Sequence, residues 1–295
     1  MSKCWIFGDS FQSSNYPFGQ KESWCDIVFA KKGYEVKNFS RAGLSTESII
    51  LSCIDMISEF KSDDLVLVFL SSEKRFMRIE GTGDLNCKSD FERYIDTERD
   101  HTDIWELLKN NNRDPAIIDY ADKLSSPLTD KLKHSVWNNY IGMLLKSKNV
   151  NFKIIHGHYE PVEVKSKYVK DLMHYWEVRT FHPNIAAYFD MEHAMKFTAG
   201  HCLINDFFHC QVLHLYNIAG KQCFVELEKL LNKATKENKS KKVKWSYADI
   251  MMFSYIKPLR KLYGEDNIIF HDTWHLSENG QKIYADYAKV YDWIN

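Results

Sequence analysis

The feature that most constrains the fold is the alternation of apolar, strand-like runs with helical stretches in the first quarter of the chain. Leu65–Leu70 is an unbroken apolar run between polar residues, which is typical of a strand buried on both faces. Lys3–Phe7 and residues 34–39 also have strand character. Apolar residues at helical spacing occupy residues 24–32 and a stretch that begins at Ser45. This order of elements predicts a parallel sheet with right-handed crossovers.

The second half of the chain returns to the same pattern after a long interruption. Residues 128–146 have the spacing of a helix, with these apolar positions: Leu132, Val136, Tyr140, Met143 and Leu144. The later predicted elements are a strand at 152–155, a helix at 247–262, a strand at 267–270 and a closing helix at 276–294. Residues 76–125 and 159–245 lack this regularity. We interpret them as insertions into a single α/β domain, residues 1–295, with five parallel strands.

Composition argues against several classes of protein. The chain has 39 basic and 40 acidic side chains, a balance that argues against a surface built to track a nucleic acid. Aromatic residues make up 14% of the chain, which is too many for a disordered protein. No apolar run approaches the ~20 residues of a membrane-spanning helix. The N-terminal segment lacks the pattern of a signal peptide, so we expect a cytoplasmic protein without a membrane span. Release by lysis and incorporation into a larger particle stay open as alternatives.

The spacing of cysteine and histidine predicts neither disulfides nor a metal site. The cysteines are odd in number and form no C-x-x-C pair, which is typical of reduced thiols. The densest cluster of these residues matches no zinc-binding pattern: His201, Cys202, His209, Cys210 and His214. We therefore expect no metal and no cofactor. His156 and His158 follow a predicted strand, and two interpretations stay open for them: pocket lining, or ordinary packed or solvated histidines.

Polar segments follow three of the predicted strands, at the edge of a parallel sheet where ligands bind. They contain Ser10 (in Gly8-Asp9-Ser10), Gly43 (in residues 40–43), and Asp272 with His275. A serine hydroxyl needs a base within hydrogen-bond reach to act as a nucleophile, and that base needs an acceptor that orients it. Asp272 and His275 are three residues apart just before a helix. A tight turn there can pair the carboxylate with one imidazole nitrogen and leave the other facing Ser10.

Each of these segments also has an ordinary structural interpretation. A Gly-Asp-Ser sequence is compatible with any turn after a strand, and Asp9 is predicted to be a turn or cap residue rather than a catalytic acid. Gly43 is compatible with a backbone that only needs a positive φ angle. Asp272 and His275 are compatible with a structural hydrogen-bonded pair. The functional interpretation depends on the three segments occurring together.

Taken together, the segments resemble the SGNH or GDSL-like esterase/lipase superfamily. The resemblance is carried by Ile6-Phe7-Gly8-Asp9-Ser10, by Gly43 in its polar loop, and by the closing block Asp272-Thr273-Trp274-His275-Leu276-Ser277 with Gly280. It does not extend to residues 76–125 or 159–245. The resemblance implies a three-layer α/β/α sandwich of the flavodoxin-like type. It also implies that Ser10 is the nucleophile, His275 the general base and Asp272 its orienting partner, with the amides of Ser10 and Gly43 in the oxyanion hole.

The chain departs from the family at the third oxyanion donor. The family usually supplies an asparagine after the third strand, whereas Ser72 falls at about that position here. Ser71 or a residue of an insertion is an alternative donor.

The function implied is hydrolysis of an ester, with a small acyl group such as acetyl on a carbohydrate or other polar molecule. Two alternatives stay open: a catalytically degenerate SGNH-fold protein used for binding or assembly, and an acyltransferase that uses the same triad. A nucleotide-binding protein is disfavoured because the chain has neither Gly-x-Gly-x-x-Gly nor a P-loop. The sequence does not predict an oligomeric state.

Overall fold

The fold was analysed in a computed structural model. It describes these residues: 1–14, 21–42, 44–71, 77–79, 94–96, 127–156, 177–178, 203–227, 229–230, 256–272 and 275–288. Most of the two predicted insertions lies outside these ranges. The predicted helix at 247–262 is described from residue 256 onward, and the closing helix at 276–294 as far as residue 288.

A parallel sheet forms the centre of the described structure. Its body consists of β1 (Lys3–Phe7), β2 (Glu35–Asn38), β3 (Leu65–Leu70) and β6 (Asn151–His156). A two-residue strand, β7 (Glu177–Val178), pairs in parallel with the outer edge of β6, so the spatial order is β2-β1-β3-β6-β7. Two short strands form a separate antiparallel pair: β4 (Met77–Ile79) and β5 (Tyr94–Asp96). The first four strands of the main sheet lie where the sequence predicts them.

The described helices that flank or follow these strands include α1 (Trp24–Lys31), α2 (Thr46–Asp55), α3 (Pro127–Ser147), α4 (Leu203–Ala219), α5 (Lys257–Tyr263) and α6 (Glu278–Ala288). The predicted cap at Ser45 is confirmed, because its side chain accepts a hydrogen bond from the Ser48 amide at the start of α2. Ser23 caps α1 in the same way and forms a reciprocal capping box with Asp26. Of the described helices, none is both long and apolar enough to cross a membrane.

The alternation of side chains along the strands produces two cores. Cys4 and Ile6 of β1 point to the face covered by α1, α4 and α6, whereas Trp5 and Phe7 point to the face covered by α2 and α3. β3 divides in the same way, so its unbroken apolar run is buried on both faces, as predicted. Because helices cover both faces, the carboxyl ends of the strands form the open edge of the sheet, where a ligand can bind.

The predicted helix α3 is confirmed, but its apolar positions do not mark its packing face. Four of them are exposed: Leu132, Val136, Tyr140 and Met143. The face that packs on the sheet contains Ile141 and Leu145, continued toward the start of the helix by the buried polar residues His134, Ser135 and Asn138. Because these positions are polar, the spacing of apolar residues in the sequence does not reveal the packing face. These polar residues are tolerated because that end of α3 packs on polar groups rather than on the strands.

The predicted strand at 267–270 does not join the sheet. Its buried backbone pairs instead with a side chain of α4: Gln211 Nε2 donates to the Asn267 carbonyl at 2.9 Å, and Gln211 Oε1 accepts from the Ile269 amide at 2.7 Å. The Ile269 carbonyl accepts from the Ser277 amide at 2.7 Å. Because these partners occupy the backbone groups a sheet neighbour would use, the segment has only an isolated bridge between Phe270 and Leu276.

Gly280 sets how closely α6 approaches this segment. A Cβ atom at this position would lie 1.9 Å from the Ile269 carbonyl oxygen, so Gly280→Ala forces backbone apart from backbone. We expect a loss of about 1–3 kcal/mol or more in the free energy of unfolding, measured by chemical denaturation. Lys282→Ala, an exposed change on the same helix, is the control and stays within ~0.5 kcal/mol of wild type. An equally small effect for Gly280→Ala would contradict the packing described.

Candidate active site

Ser10 lies on a tight turn directly after β1. The turn is closed by Asp9, whose Oδ1 accepts from the Phe11 amide at 3.1 Å, and by Gln12, whose Oε1 accepts from the Asp9 amide at 3.2 Å. A Cβ atom at Gly8 would lie 2.4 Å from Gln12 Oε1 and 3.2 Å from Phe69 Cβ, so the Gln12 side chain would have to move to accommodate one. The predicted turn role of Asp9 is confirmed. Ser10 is therefore held on a short, buried segment rather than on a free loop.

The turn that carries Asp272 and His275 brings the imidazole to Ser10. His275 Nε2 lies 2.8 Å from Ser10 Oγ, and His275 Nδ1 lies 2.9 Å and 3.0 Å from the two carboxylate oxygens of Asp272. The sequence predicts this arrangement, although Ser10 and His275 are 265 positions apart. An ionised carboxylate only accepts hydrogen bonds, so Nδ1 carries the proton. Nε2 of the neutral imidazole is then the acceptor for the Ser10 hydroxyl.

Backbone and side-chain contacts hold this second turn in place. The Asp272 carboxylate also accepts from the His275 amide at 2.9 Å, and the His271 amide donates to the His275 carbonyl at 2.7 Å. Arg260 of α5 adds a contact that the sequence analysis missed. Its Nη2 donates to the carbonyls of Phe270 and His271, at 2.8 Å and 2.7 Å, directly before Asp272. No sequence pattern connects an arginine on one helix with the carbonyl groups of a later loop.

The Phe11 ring supports the imidazole from one side. It stacks on the His275 ring with centroids 5.1 Å apart and an interplanar angle of 17°. Its other neighbour is Phe207 of α4, at 6.1 Å edge to face, and its carbonyl accepts from Trp24 Nε1 at 3.1 Å. The sequence offered one signal for this contact, because Phe11 is a large apolar residue inside an otherwise polar turn. With 11% of the His275 side chain exposed, the imidazole retains a path to solvent.

Several predicted site residues lie outside the described residues. Gly43, Ser72 and His158 belong to this group, as does the His156 side chain, although its backbone ends β6. Ser71, the alternative third oxyanion donor, is described, and its hydroxyl donates to Asp9 Oδ2 at 2.9 Å. Because that hydrogen is engaged within the protein, Ser71 is a poor donor to a substrate.

Neither a metal centre nor a cysteine nucleophile is present in the part of the chain that the structure describes. No group of three or more metal-ligating side chains occurs there. Its cysteines are all buried and free: Cys4, Cys25, Cys53, Cys210 and Cys223. Burial raises the pKa of Cys4, Cys25 and Cys53 well above the usual thiol range, and raises the pKa of Cys223 to about 11. Protonated thiols are weak nucleophiles, so these four cysteines are poor candidates beside Ser10, whose hydroxyl lies against an imidazole.

Comparison with known proteins adds no assignment to this geometry. A scan against protein-family models finds no match, and a search of curated proteins finds none either.

The buried thiols should resist alkylation in the folded protein. We expect peptides that contain Cys4, Cys25 and Cys53 to remain unmodified after brief iodoacetamide treatment at pH 8, and to be fully modified in guanidinium chloride. Peptide mass spectrometry gives the extent at each position, with the denatured sample as the control. Native-state modification at the rate of a free thiol would contradict the burial described.

Proposed function

We propose that this protein is a serine esterase of the SGNH type, which hydrolyses a small acyl ester of a carbohydrate or another polar alcohol. The hydrogen-bonded series from Ser10 through His275 to Asp272 is the observation that carries the proposal. Its position supports it too, since Ser10 follows β1 at the open edge of a parallel sheet with helices on both faces. In this proposal, the sheet and the helices on its two faces form the three-layer SGNH sandwich. The small acyl group of the substrate is what the family resemblance implies.

In the first half of the proposed reaction, Ser10 Oγ attacks the ester carbonyl carbon while its proton passes to His275 Nε2. Asp272 stabilises the imidazolium that forms and keeps its Nδ1–H directed at the carboxylate. The amides of Ser10 and Gly43 donate to the oxyanion, with Ser72 as the third donor. The imidazolium then gives its proton to the departing alkoxide, which leaves as the alcohol.

In the second half, water takes the place of the alcohol. His275 removes a proton from this water as its oxygen attacks the acyl-enzyme, and returns that proton to Ser10 Oγ when the acid leaves. One ester and one water thus give one acid and one alcohol. The protein's own residues perform each proton transfer in this scheme.

A fluorophosphonate probe tests the nucleophile directly. We expect the wild-type protein to be labelled at Ser10 and to hydrolyse p-nitrophenyl acetate, and Ser10→Ala to lose both signals. Ser52→Ala is the matched control, because Ser52 lies on α2 with its hydroxyl bonded to the Ser48 carbonyl. Mass spectrometry locates the label. A folded wild-type protein that shows neither labelling nor turnover would overturn the esterase proposal and favour a binding protein.

The role of Asp272 is tested by removing its charge without changing its size. In Asp272→Asn the amide can donate to Nδ1, which moves the imidazole proton to Nε2 and removes the acceptor for Ser10 Oγ–H. We expect kcat to fall by roughly 10²–10⁴ with the fold intact. Asp266→Asn, at an exposed position in the preceding turn, is the control and should keep the wild-type rate. An unchanged kcat in Asp272→Asn would show that the carboxylate has a structural role only.

A further inference from the structure

A buried chain of hydrogen bonds joins three separate segments at the open edge of the sheet. Ser71, directly after β3, donates its hydroxyl to Asp9 Oδ2 at 2.9 Å. The Ser71 amide donates to Thr46 Oγ1 at 3.1 Å, and the Ser71 carbonyl lies 3.3 Å from the same oxygen. The exposed fractions of Asp9, Ser71 and Thr46 are 1%, 0% and 3%. This buried chain of hydrogen bonds therefore holds the three segments in place relative to one another without help from bulk water.

The Thr46 hydroxyl is fully used in this chain. A hydroxyl has one hydrogen to donate and two lone pairs that accept. Its hydrogen goes to the Ser71 carbonyl, and one lone pair accepts from the Ser71 amide. His134 Nδ1 lies 3.4 Å from the same oxygen, and in the tautomer that is protonated at Nδ1 it donates to the second lone pair. This demand explains why α3 buries a histidine where its apolar pattern predicted none.

The hydrogen-bonded chain ends at the turn that carries Ser10. Asp9, its last member, directly precedes Ser10 in the sequence. Asp9 also holds the far side of Ser10, since its second carboxylate oxygen accepts from the Phe11 amide. Loss of a contact in this hydrogen-bonded chain therefore loosens the turn that carries the amide and the Oγ of Ser10.

We propose that Thr46 and Ser71 are positioning residues that hold the Ser10 turn, and with it the Ser10 amide that the proposed reaction uses as an oxyanion donor. This inference rests on the proposed esterase function. An oxyanion hole acts by preorganisation, because its donors must lie about 2.7–3.1 Å from the oxygen that becomes charged. Small displacements of such donors reduce transition-state stabilisation more than substrate binding. Loss of the Thr46 or Ser71 hydroxyl should therefore lower kcat while leaving KM almost unchanged.

Thr46→Val is the sharpest variant, since it removes the hydroxyl and nearly preserves the shape of the side chain. Thr46→Ser keeps the hydroxyl and loses only a methyl group. We expect kcat for p-nitrophenyl acetate and the rate of fluorophosphonate labelling at Ser10 to fall about 10- to 100-fold in Thr46→Val. KM should stay within about twofold, and Thr46→Ser should recover most of the lost rate. Ser71→Ala tests the second residue in the same way, and Ser52→Ala is the unaffected control.

The outcomes separate this inference from the function on which it rests. Circular dichroism first establishes that each variant is folded at the assay temperature, and Ser71→Ala carries the test if Thr46→Val does not fold. Folded Thr46→Val and Ser71→Ala with wild-type kcat and labelling rates would overturn the inference and leave the esterase proposal intact. A lower unfolding midpoint with an unchanged kcat would assign the chain a structural role and overturn the inference also. A wild-type protein that is not labelled at Ser10 would overturn both.

Discussion

The arrangement of the described structure depends on the burial of β1 between two neighbouring strands and two layers of helices. β1 pairs in parallel with β2 on one side and with β3 on the other. Its last four residues are at most 3% exposed. A strand held on both edges and both faces has almost no freedom to move. The turn that leaves it at Gly8 therefore presents Ser10 at a fixed point, and the other parts of the site are assembled around that point.

The imidazole reaches this point through packing between α1 and α6. The Trp24 amide donates to Gln281 Oε1 at 2.8 Å, and the Trp24 indole packs edge to face on Tyr284 with centroids 5.0 Å apart. Both aromatic side chains are fully buried. Because α6 begins just after His275, this contact fixes the histidine turn against the element that follows Ser10. The same indole donates to the Phe11 carbonyl, so a single tryptophan contacts both halves of the candidate site.

Much of this arrangement was predictable from the sequence, and the parts that were not have physical explanations. Leu65–Leu70 identified β3 because few structures other than a buried strand accept such a run. The Asp272–His275 pair was predictable because a three-residue spacing before a helix leaves few other geometries. The packing face of α3 was not, because polar residues lie on it. Whether 267–270 pairs with a sheet depends on Gln211, a side chain more than fifty positions away.

The hydrogen bonds that join Asp9, Ser71 and Thr46 could not be predicted from the sequence either. Serine and threonine hydroxyls are common after strands and at helix starts, where they satisfy local backbone groups. Nothing in the local pattern distinguishes a hydroxyl that caps its own helix from one that bonds across the sheet edge. Ser45 and Thr46 are adjacent, and the structure gives the first role to one and the second to the other.

The Gln211 amide takes the place of an absent strand neighbour, and this has a consequence for how the molecule loses its order. The segment that leads to Asp272 is held by the side chains of Gln211 and Arg260 and by the Ser277 amide, rather than by a ladder of backbone bonds to a neighbouring strand. Proteins open in cooperative units of unequal stability, and a segment without a backbone ladder is among those that open first. We therefore expect heating to release the turn that carries His275 before β1, β2 and β3 separate. The hydrogen bonds from Ser10 to His275 and Asp272 would then be lost while most of the far-ultraviolet dichroism persists.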